Sequence, residues 1–418
     1  MPELYEIKEE KEKVILVGVC TAGQEDSVAS LDELEDLAKT AGAVCVGRLI
    51  QNRENIHPGT YLGSGKVNEL SALIEETQAD GIICDDELSP AQLKNLEELL
   101  HVKIMDRTLV ILDIFASHAN TSEGKIQVEL AQLKYRSSHL IGMRSALSRL
   151  GGGIGTRGPG EKKLEMDRRL IKDRIAQLNR ELTSVKNRRE VLRQQRTRSQ
   201  IPVAAIVGYT NAGKSTLLNY LTNAKVLEED KLFATLDPTT RNLSLLNGQE
   251  ILLTDTVGFI KKLPHHLIDA FRSTLEEAKY ADILLHVVDS SNPQMDIQMY
   301  VVYETLKQLG VVNKPVITLF NKQDKLEKPI ILRDFQADKT LSISAKSGLG
   351  IPELLQAVEE ILRKQKIYIH CTYPYTSAGK IQIIRKSGQL LKEEYAADGI
   401  LVEAYIPQEI YHTVMPES

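Results

Sequence analysis

Eight consecutive residues carry the most specific chemistry in the chain: Gly208-Tyr209-Thr210-Asn211-Ala212-Gly213-Lys214-Ser215. Two glycines at this spacing let a backbone curl so that its N–H groups face one anion, and a lysine and a hydroxyl follow directly. The apolar run Val203-Ala204-Ala205-Ile206-Val207 ahead of it reads as a strand, and Thr216 to Leu221 behind it reads as a helix. That helix adds the partial positive charge of its N-terminus to the same point. The chemistry is phosphate binding: Lys214 reaching terminal phosphates, and Ser215 offering a hard oxygen to Mg²⁺. A glycine turn that merely carries a lysine is the alternative, and the motifs downstream argue against it.

Those motifs select guanine. Asp255-Thr256-Val257-Gly258 follows the strand-like Ile251-Leu252-Leu253-Thr254. An acid at a strand end suits the hydration shell of Mg²⁺, and the Gly258 N–H suits a γ-phosphate. Asn321-Lys322-Gln323-Asp324 follows Val316 to Phe320, where the Asp324 carboxylate can accept two hydrogen bonds from guanine N1 and N2. Adenine lacks that donor pair. Ser344-Ala345-Lys346 follows Leu341-Ser342-Ile343 and can present a main-chain N–H to guanine O6. Between the first two motifs lies Phe233-Ala234-Thr235-Leu236-Asp237, followed by Pro238-Thr239-Thr240-Arg241. By position Thr235, rather than Thr239 or Thr240, is expected to close onto Mg²⁺ and the γ-phosphate. The expected catalytic set is Lys214, Thr235 and Gly258; the expected metal set is Ser215, Thr235 and, through water, Asp255.

The elements that must position these loops occupy part of a chain of 418 residues, which is too long for one ordinary core. Hydrophobic residues at 42% and charged residues at 26% describe a soluble globular protein, and no apolar stretch approaches the ~20 residues that span a bilayer. Cys20, Cys45, Cys84 and Cys371 form no CxxC pair, and the first three lie in apolar runs, so buried free thiols in a reducing, cytoplasmic setting are expected. The overall expectation is an α/β chain of four segments. Residues 1–120 alternate apolar strands with amphipathic helices, a small parallel sheet covered on both faces. Residues 121–198 form an antiparallel helical hairpin, residues 199–365 the doubly wound nucleotide domain, and residues 366–418 a small α+β appendage. In the first segment, Gly63-Ser64-Gly65-Lys66 reads as a turn before a helix, with a second anion site as the alternative. Asp85-Asp86-Glu87 reads as a solvated loop, with metal binding as the alternative.

The hairpin is read from heptads. Ile126, Leu133, Leu140 and Leu147 recur every seven residues, and after a break Leu164, Ile171, Leu178, Val185 and Leu192 do the same. Such seams are packing. The break is different: Arg149-Leu150-Gly151-Gly152-Gly153-Ile154-Gly155-Thr156-Arg157 is richer in glycine than a turn requires. A backbone that must approach RNA closely, with Arg149 and Arg157 on phosphates, is the sharper reading; a disordered tip is the bland one. From Arg157 to Arg198 fourteen Lys/Arg stand against six Asp/Glu, a net of +8 in a chain whose total is −5. That polarity is an electrostatic footprint for a polyanion.

Together these stretches resemble the HflX family, ribosome-associated GTPases of the Obg–HflX group. The likeness rests on Arg149 to Glu161, Phe233 to Arg241, Asp255 to Phe259, and Asp106-Arg107-Thr108 with Leu112-Asp113-Ile114-Phe115. It covers essentially the whole chain. The resemblance implies a GTP hydrolase using Mg²⁺ that binds the large ribosomal subunit, with the glycine tip (Gly151, Gly152, Gly153, Gly155) reaching ribosomal RNA. It further implies a role in splitting or rescuing ribosomes or in their biogenesis; a monomer is expected. A slow GTP-dependent RNA-binding assembly factor and a signalling adaptor, whose hairpin binds protein, are the alternatives. One departure from other GTPases matters: the residue after Gly258 is Phe259, where many place a glutamine that orients the attacking water. An apolar side chain cannot do so, and slow intrinsic hydrolysis completed by a partner is expected.

Overall fold

A computed structural model describes residues 11–21, 27–150, 159–199, 201–222, 232, 233, 236, 238–245, 248–262, 277–328, 332–364, 366–396 and 399–415. The chain forms two compact units that interleave in sequence. Unit 1 gathers residues 1–185, 229–237 and 262–272; unit 2 gathers 186–228, 238–261 and 273–418.

Unit 1 is built on a parallel sheet of four strands, β1 (Lys13–Thr21), β2 (Val44–Arg53), β3 (Gly81–Cys84) and β4 (Lys103–Asp106), in the order β2-β1-β3-β4. The helices α1 (Ser27–Thr40), α2 (Ser64–Thr77), α3 (Pro90–Leu100) and α4 (Arg107–His118) follow the strands in turn. Val14 to Val17 and Ile82 are excluded from solvent, as continuous apolar strands between helices require. β2 runs well past its apolar start, through Gln51, Asn52 and Arg53, because it is an edge strand with one side free for polar residues. Local signals end where the residues say they should. Ser89 and Gln92 close a reciprocal capping box with Pro90 at the first helical position, and the Asp106 carboxylate accepts from Leu109 N at 2.9 Å to cap α4.

The helices α5 (Ser122–Leu150) and α6 (Pro159–Ser199) are long, and within unit 1 the heptad residues Ile126, Leu130 and Leu133 pack with Ile175, Leu178 and Leu182. Arg174 reinforces that seam with a two-pronged ion pair to Glu129 at 2.7 and 2.9 Å. α5 is tied to the sheet by Tyr135, whose hydroxyl donates to Asp106 at 3.0 Å. The glycine tip, Gly151 to Arg157, and the side chain of Arg149 lie outside the described residues.

Two expectations for unit 1 need correction. Asp85 is not solvated: it is 3% exposed, receives Arg107 Nη1 at 2.7 Å and Ser30 Oγ at 2.6 Å, and pairs with Lys262 Nζ at 2.5 Å. Arg107, itself 1% exposed, also pairs with Glu33, so the acid is buried because a buried cation demands it. Nor are all three early cysteines fully buried: Cys84 is, while Cys20 and Cys45 are only partly so; all are free thiols. The Gly63 turn caps α2, as expected of a turn, and Lys66 pairs with Glu69.

Unit 2 holds a six-stranded sheet, β5 (Val203–Gly208), β6 (Thr239–Ser244), β7 (Glu250–Asp255), β8 (Ile283–Asp289), β9 (Val316–Asn321) and β10 (Lys339–Ser342). Its order is β10-β9-β8-β5-β7-β6, parallel throughout except for β6, which runs antiparallel to β7 at the edge. The helices α7 (Lys214–Thr222), α8 (Met295–Gln308) and α9 (Ile351–Lys364) belong with it. α9 is strongly amphipathic, burying Leu354, Val358, Ile361 and Leu362 against the sheet core. The C-terminal part is an antiparallel sheet of β11 (Ile367–Tyr373), β12 (Gln389–Ala396) and β13 (Gly399–Ile406) in the order β11-β13-β12. The helices α10 (Ala378–Ser387) and α11 (Tyr411–Val414) contribute Ile381, Ile384 and Val414 to its core. No helix among the described residues is long and apolar enough to cross a membrane.

Candidate functional site

The loops of interest leave the C-terminal ends of β5, β7, β9 and β10. That is where an open parallel sheet places its ligand crevice. Strand order reverses at β5: the chain leaves it toward β7 on one side, while β8 pairs on the other. The loop after β5 fits the motif's physical demands. A Cβ on Gly208 would lie 2.3 Å from Val287 O, and one on Gly213, at φ +95°, would lie 2.3 Å from Asn321 Nδ2. Neither position tolerates a side chain, for steric reasons rather than loop entropy alone.

Lys214 opens α7 and is 6% exposed, with its ammonium donating to Tyr209 O at 2.7 Å. Burial pulls its pKa down to about 8, against the opposing attraction of Asp255. Ser215 Oγ donates to Asp255 Oδ2 at 2.8 Å, and Asp255 is wholly buried at the end of β7. A hydroxyl and a carboxylate meeting at one point are hard oxygen donors of the kind Mg²⁺ selects, so the residues present fit that ion. Thr235, expected to complete the set, lies outside the described residues, as do Ala234 and Asp237.

The loop after β7 is laced to the loop after β5. Thr256 Oγ1 donates to Ile206 O at 2.7 Å, Phe259 N to Gly208 O at 3.1 Å, and Thr210 N to Phe259 O at 2.8 Å. Gly258 sits so close that a Cβ there would be 2.9 Å from Thr210 Cα and 3.0 Å from Lys214 Nζ. The Phe259 side chain is 1% exposed, so it packs inward.

The third and fourth loops, those expected to read guanine, are joined to the first by one amide. Asn321 Nδ2 donates to Ala212 O at 2.8 Å, and Asn321 Oδ1 accepts from Ala345 N at 2.9 Å. Asp324 accepts from Ser344 Oγ at 2.6 Å, the main cause holding its carboxyl below the usual carboxylate range; Lys346, exposed nearby, acts in the same direction. Lys322 pairs with Asp289 at 2.7 Å, and Gln323 Nε2 donates to Ser290 Oγ at 3.1 Å. Sequence reasoning does not find Asp289 and Ser290; an acid ending the apolar strand β8 is the available signal. Nor does it find His286, which is buried in β8 with its ring edge-on to Tyr303, and whose pKa burial lowers to about 4.

The structure therefore gathers Gly208 to Thr216, Asp255 to Gly258, Asn321 to Asp324 and Ser344 to Lys346 around one crevice in unit 2. Phe233 and Leu236 are the described residues of the expected switch stretch, Phe233 to Asp237. Both are buried and belong to unit 1, where the Phe233 ring stands edge-on to Phe115 at 4.7 Å between centroids.

A six-stranded sheet with one antiparallel edge, a glycine-bounded loop ahead of a helix, and an Asn–Asp loop joined to it define a P-loop GTPase. Family models match along the chain: "GTP-binding GTPase N-terminal" over residues 28–116, "GTP-binding GTPase Middle Region" over 118–196, and "50S ribosome-binding GTPase" over 203–322. The chain belongs to the HflX family of GTPases. It is 68% identical to GTPase HflX of Lacrimispora saccharolytica over 98% of this chain and 97% of that one, and 42% identical to GTPase HflX of Escherichia coli over 84% and 83%. Among solved structures, a GTP-binding protein from Sulfolobus solfataricus in complex with GDP is 25% identical, covering 84% of this chain and 98% of that chain, at a TM-score of 0.44.

Proposed function

We propose that this GTPase is a ribosome-dependent switch: it binds the large ribosomal subunit, and hydrolysis of GTP to GDP resets it after subunit splitting, rescue or assembly. In this reading residues 1–120, 121–198, 199–365 and 366–418 act as four functional segments in the cytoplasm, in a monomeric chain. Gly208 to Thr216 cradle the phosphates, Ser215 and Thr235 ligate Mg²⁺ directly and Asp255 does so through water, and Asp324 reads guanine with Ala345 behind O6. Lys214, Thr235 and the Gly258 N–H stabilise the charge on the transferring phosphoryl group. The tip, Arg149 to Arg157, meets ribosomal RNA, in keeping with the +8 charge of residues 157–198.

One observation carries the switch reading. Phe259, where a water-orienting side chain would stand, is buried at 1% exposure with its backbone bonded across the phosphate loop. The site lacks at that position a group able to hold the attacking water, so a partner must supply or order one. The likeness to a 50S ribosome-binding GTPase supports the large subunit as that partner.

The test is GTP turnover with and without purified large subunits, repeated after shortening the Gly151 to Gly160 tip. Stimulation lost on shortening is expected. Turnover indifferent to subunits would instead favour a slow assembly timer or an adaptor.

A further inference from the structure

The GxxxxGKS pattern leaves its second position open to any residue, yet here that position is among the most constrained in the site. Tyr209 is 3% exposed. Its carbonyl accepts the Lys214 ammonium at 2.7 Å, and its phenol oxygen accepts the backbone N–H of Lys261 at 2.7 Å. Between these two ends the residue forms a parallel bridge with Phe259, flanked by the Phe259 N to Gly208 O and Thr210 N to Phe259 O bonds.

We propose that Tyr209 is a positioning residue for GTP hydrolysis: its phenol oxygen holds the Lys261 amide and so fixes Gly258 against the phosphate site. The main-chain bonds secure Phe259, and the phenol bond takes hold two residues further on. Phe259 and Ile260 are buried at 1% and 2%, and the partly buried amide that follows them needs an acceptor. The phenol supplies it. On the far side, Lys261 Nζ donates to Gln294 Oε1 at 2.6 Å, so residue 261 is held through its backbone by the phosphate loop and through its side chain by the residue just ahead of α8.

The tolerance for error is small. A Cβ at Gly258 would touch Thr210 Cγ2 at 2.8 Å and Lys214 Nζ at 3.0 Å. Gly258 therefore lies against the lysine assigned to the terminal phosphate, and a shift of the 259–261 stretch moves its N–H relative to that lysine. A donor aimed at developing charge works best when the fold places it before substrate arrives. A tyrosine suits this role, because its ring is locked by burial and has only two side-chain torsions to fix. The alignment concerns the intrinsic reaction and needs no ribosome. It rests on assigning Gly208 to Thr216 and Gly258 to the phosphates.

Tyr209→Phe tests the role, because it keeps the ring and removes the acceptor. In the full-length protein, three quantities are compared with wild type: single-turnover GTP hydrolysis, GDP affinity by calorimetry, and amide exchange in peptides spanning 259–262. The expected result is hydrolysis slowed about two- to twelvefold, the worth of one neutral hydrogen bond. GDP affinity should stay within about twofold, since that bond aligns Gly258 rather than binding GDP. Exchange at Lys261 should quicken. An unchanged rate, a GDP affinity that falls in step with the rate, or unaltered exchange would each overturn the proposal; the second would mark Tyr209 as packing only. Failure of the wild-type protein to bind GDP would instead remove the site assignment beneath it.

Discussion

The Ser215 hydroxyl donates a 2.8 Å hydrogen bond to Asp255 Oδ2, joining the first turn of α7 to the end of β7. The proposed metal site is thus held together by its own ligands. Removing the hydroxyl takes away a direct ligand and leaves the carboxylate to bind water in its place. Ser215→Ala is expected to raise the Mg²⁺ concentration that half-saturates turnover by about 10- to 100-fold. GDP binding measured in the presence of a chelator should change little. Mg²⁺ titrations of turnover check this, and an unshifted titration would remove Ser215 from the metal site.

The depressed pKa of Lys214, about 8 against an ordinary 10.5, has two consequences of opposite sign. Between those values the unfolded chain binds the proton more tightly than the folded one, so the Lys214 contribution to stability rises with pH from about 8 to 10.5. Phosphate binding requires the charged form, so GDP affinity should fall as pH rises above about 8, by up to about tenfold per pH unit. Calorimetric titrations from pH 7 to 9.5 check the second slope. Lys214→Met should abolish both dependences.

Asp324 is kept ionised by the Ser344 hydroxyl and accepts donors only. In the proposed site, Asp324→Asn replaces one acceptor with a donor set against guanine N1–H and N2–H. GDP affinity should fall about 10²- to 10³-fold, the loss of two charge-assisted bonds, while xanthine nucleotides, which present an oxygen in place of N2, should gain. Competition between GDP and XDP checks the exchange.

In unit 1, Arg107→Ala would leave Asp85 and Glu33 without their buried guanidinium. Breaking a buried pair from one side costs about 3–5 kcal/mol, and urea unfolding should show a loss of about that size. An exposed pair such as Lys66 with Glu69 should cost at most about 1 kcal/mol when Lys66 is replaced by alanine. Equal losses for the two would mean that burial of Arg107 contributes nothing.

What can be read from the sequence is local. The loop at Gly208 to Ser215 announces itself because steric and electrostatic demands fall on neighbours in the chain. The capping of α3 by Ser89 and the seven-residue spacing of Ile126 and Leu133 are legible for the same reason. The partners of Asn321 are not: Ala212 lies 109 positions away, and nothing in the Asn-Lys-Gln-Asp string says that its amide joins two other loops. Asp85 misleads because acids in a row resemble a solvated loop. Its burial is imposed by Arg107 and Lys262, which composition cannot foresee. The ring contact of Phe233 with Phe115, 118 positions earlier, is likewise invisible in the switch stretch itself.

Interleaving has a consequence for how the chain becomes folded. The Lys262 contacts with Asp85 and Asp86 span 177 and 176 positions, and unit 1 is complete only when residues 229–237 and 262–272 have joined residues 1–185. Loops of that length are slow to close. During synthesis, a nascent chain that has emerged only to residue 199 carries the whole four-stranded sheet and both long helices, yet its buried Asp85 still lacks one of its cations. The final consolidation of the first-made half therefore waits until Lys262 has been made, 177 positions after Asp85.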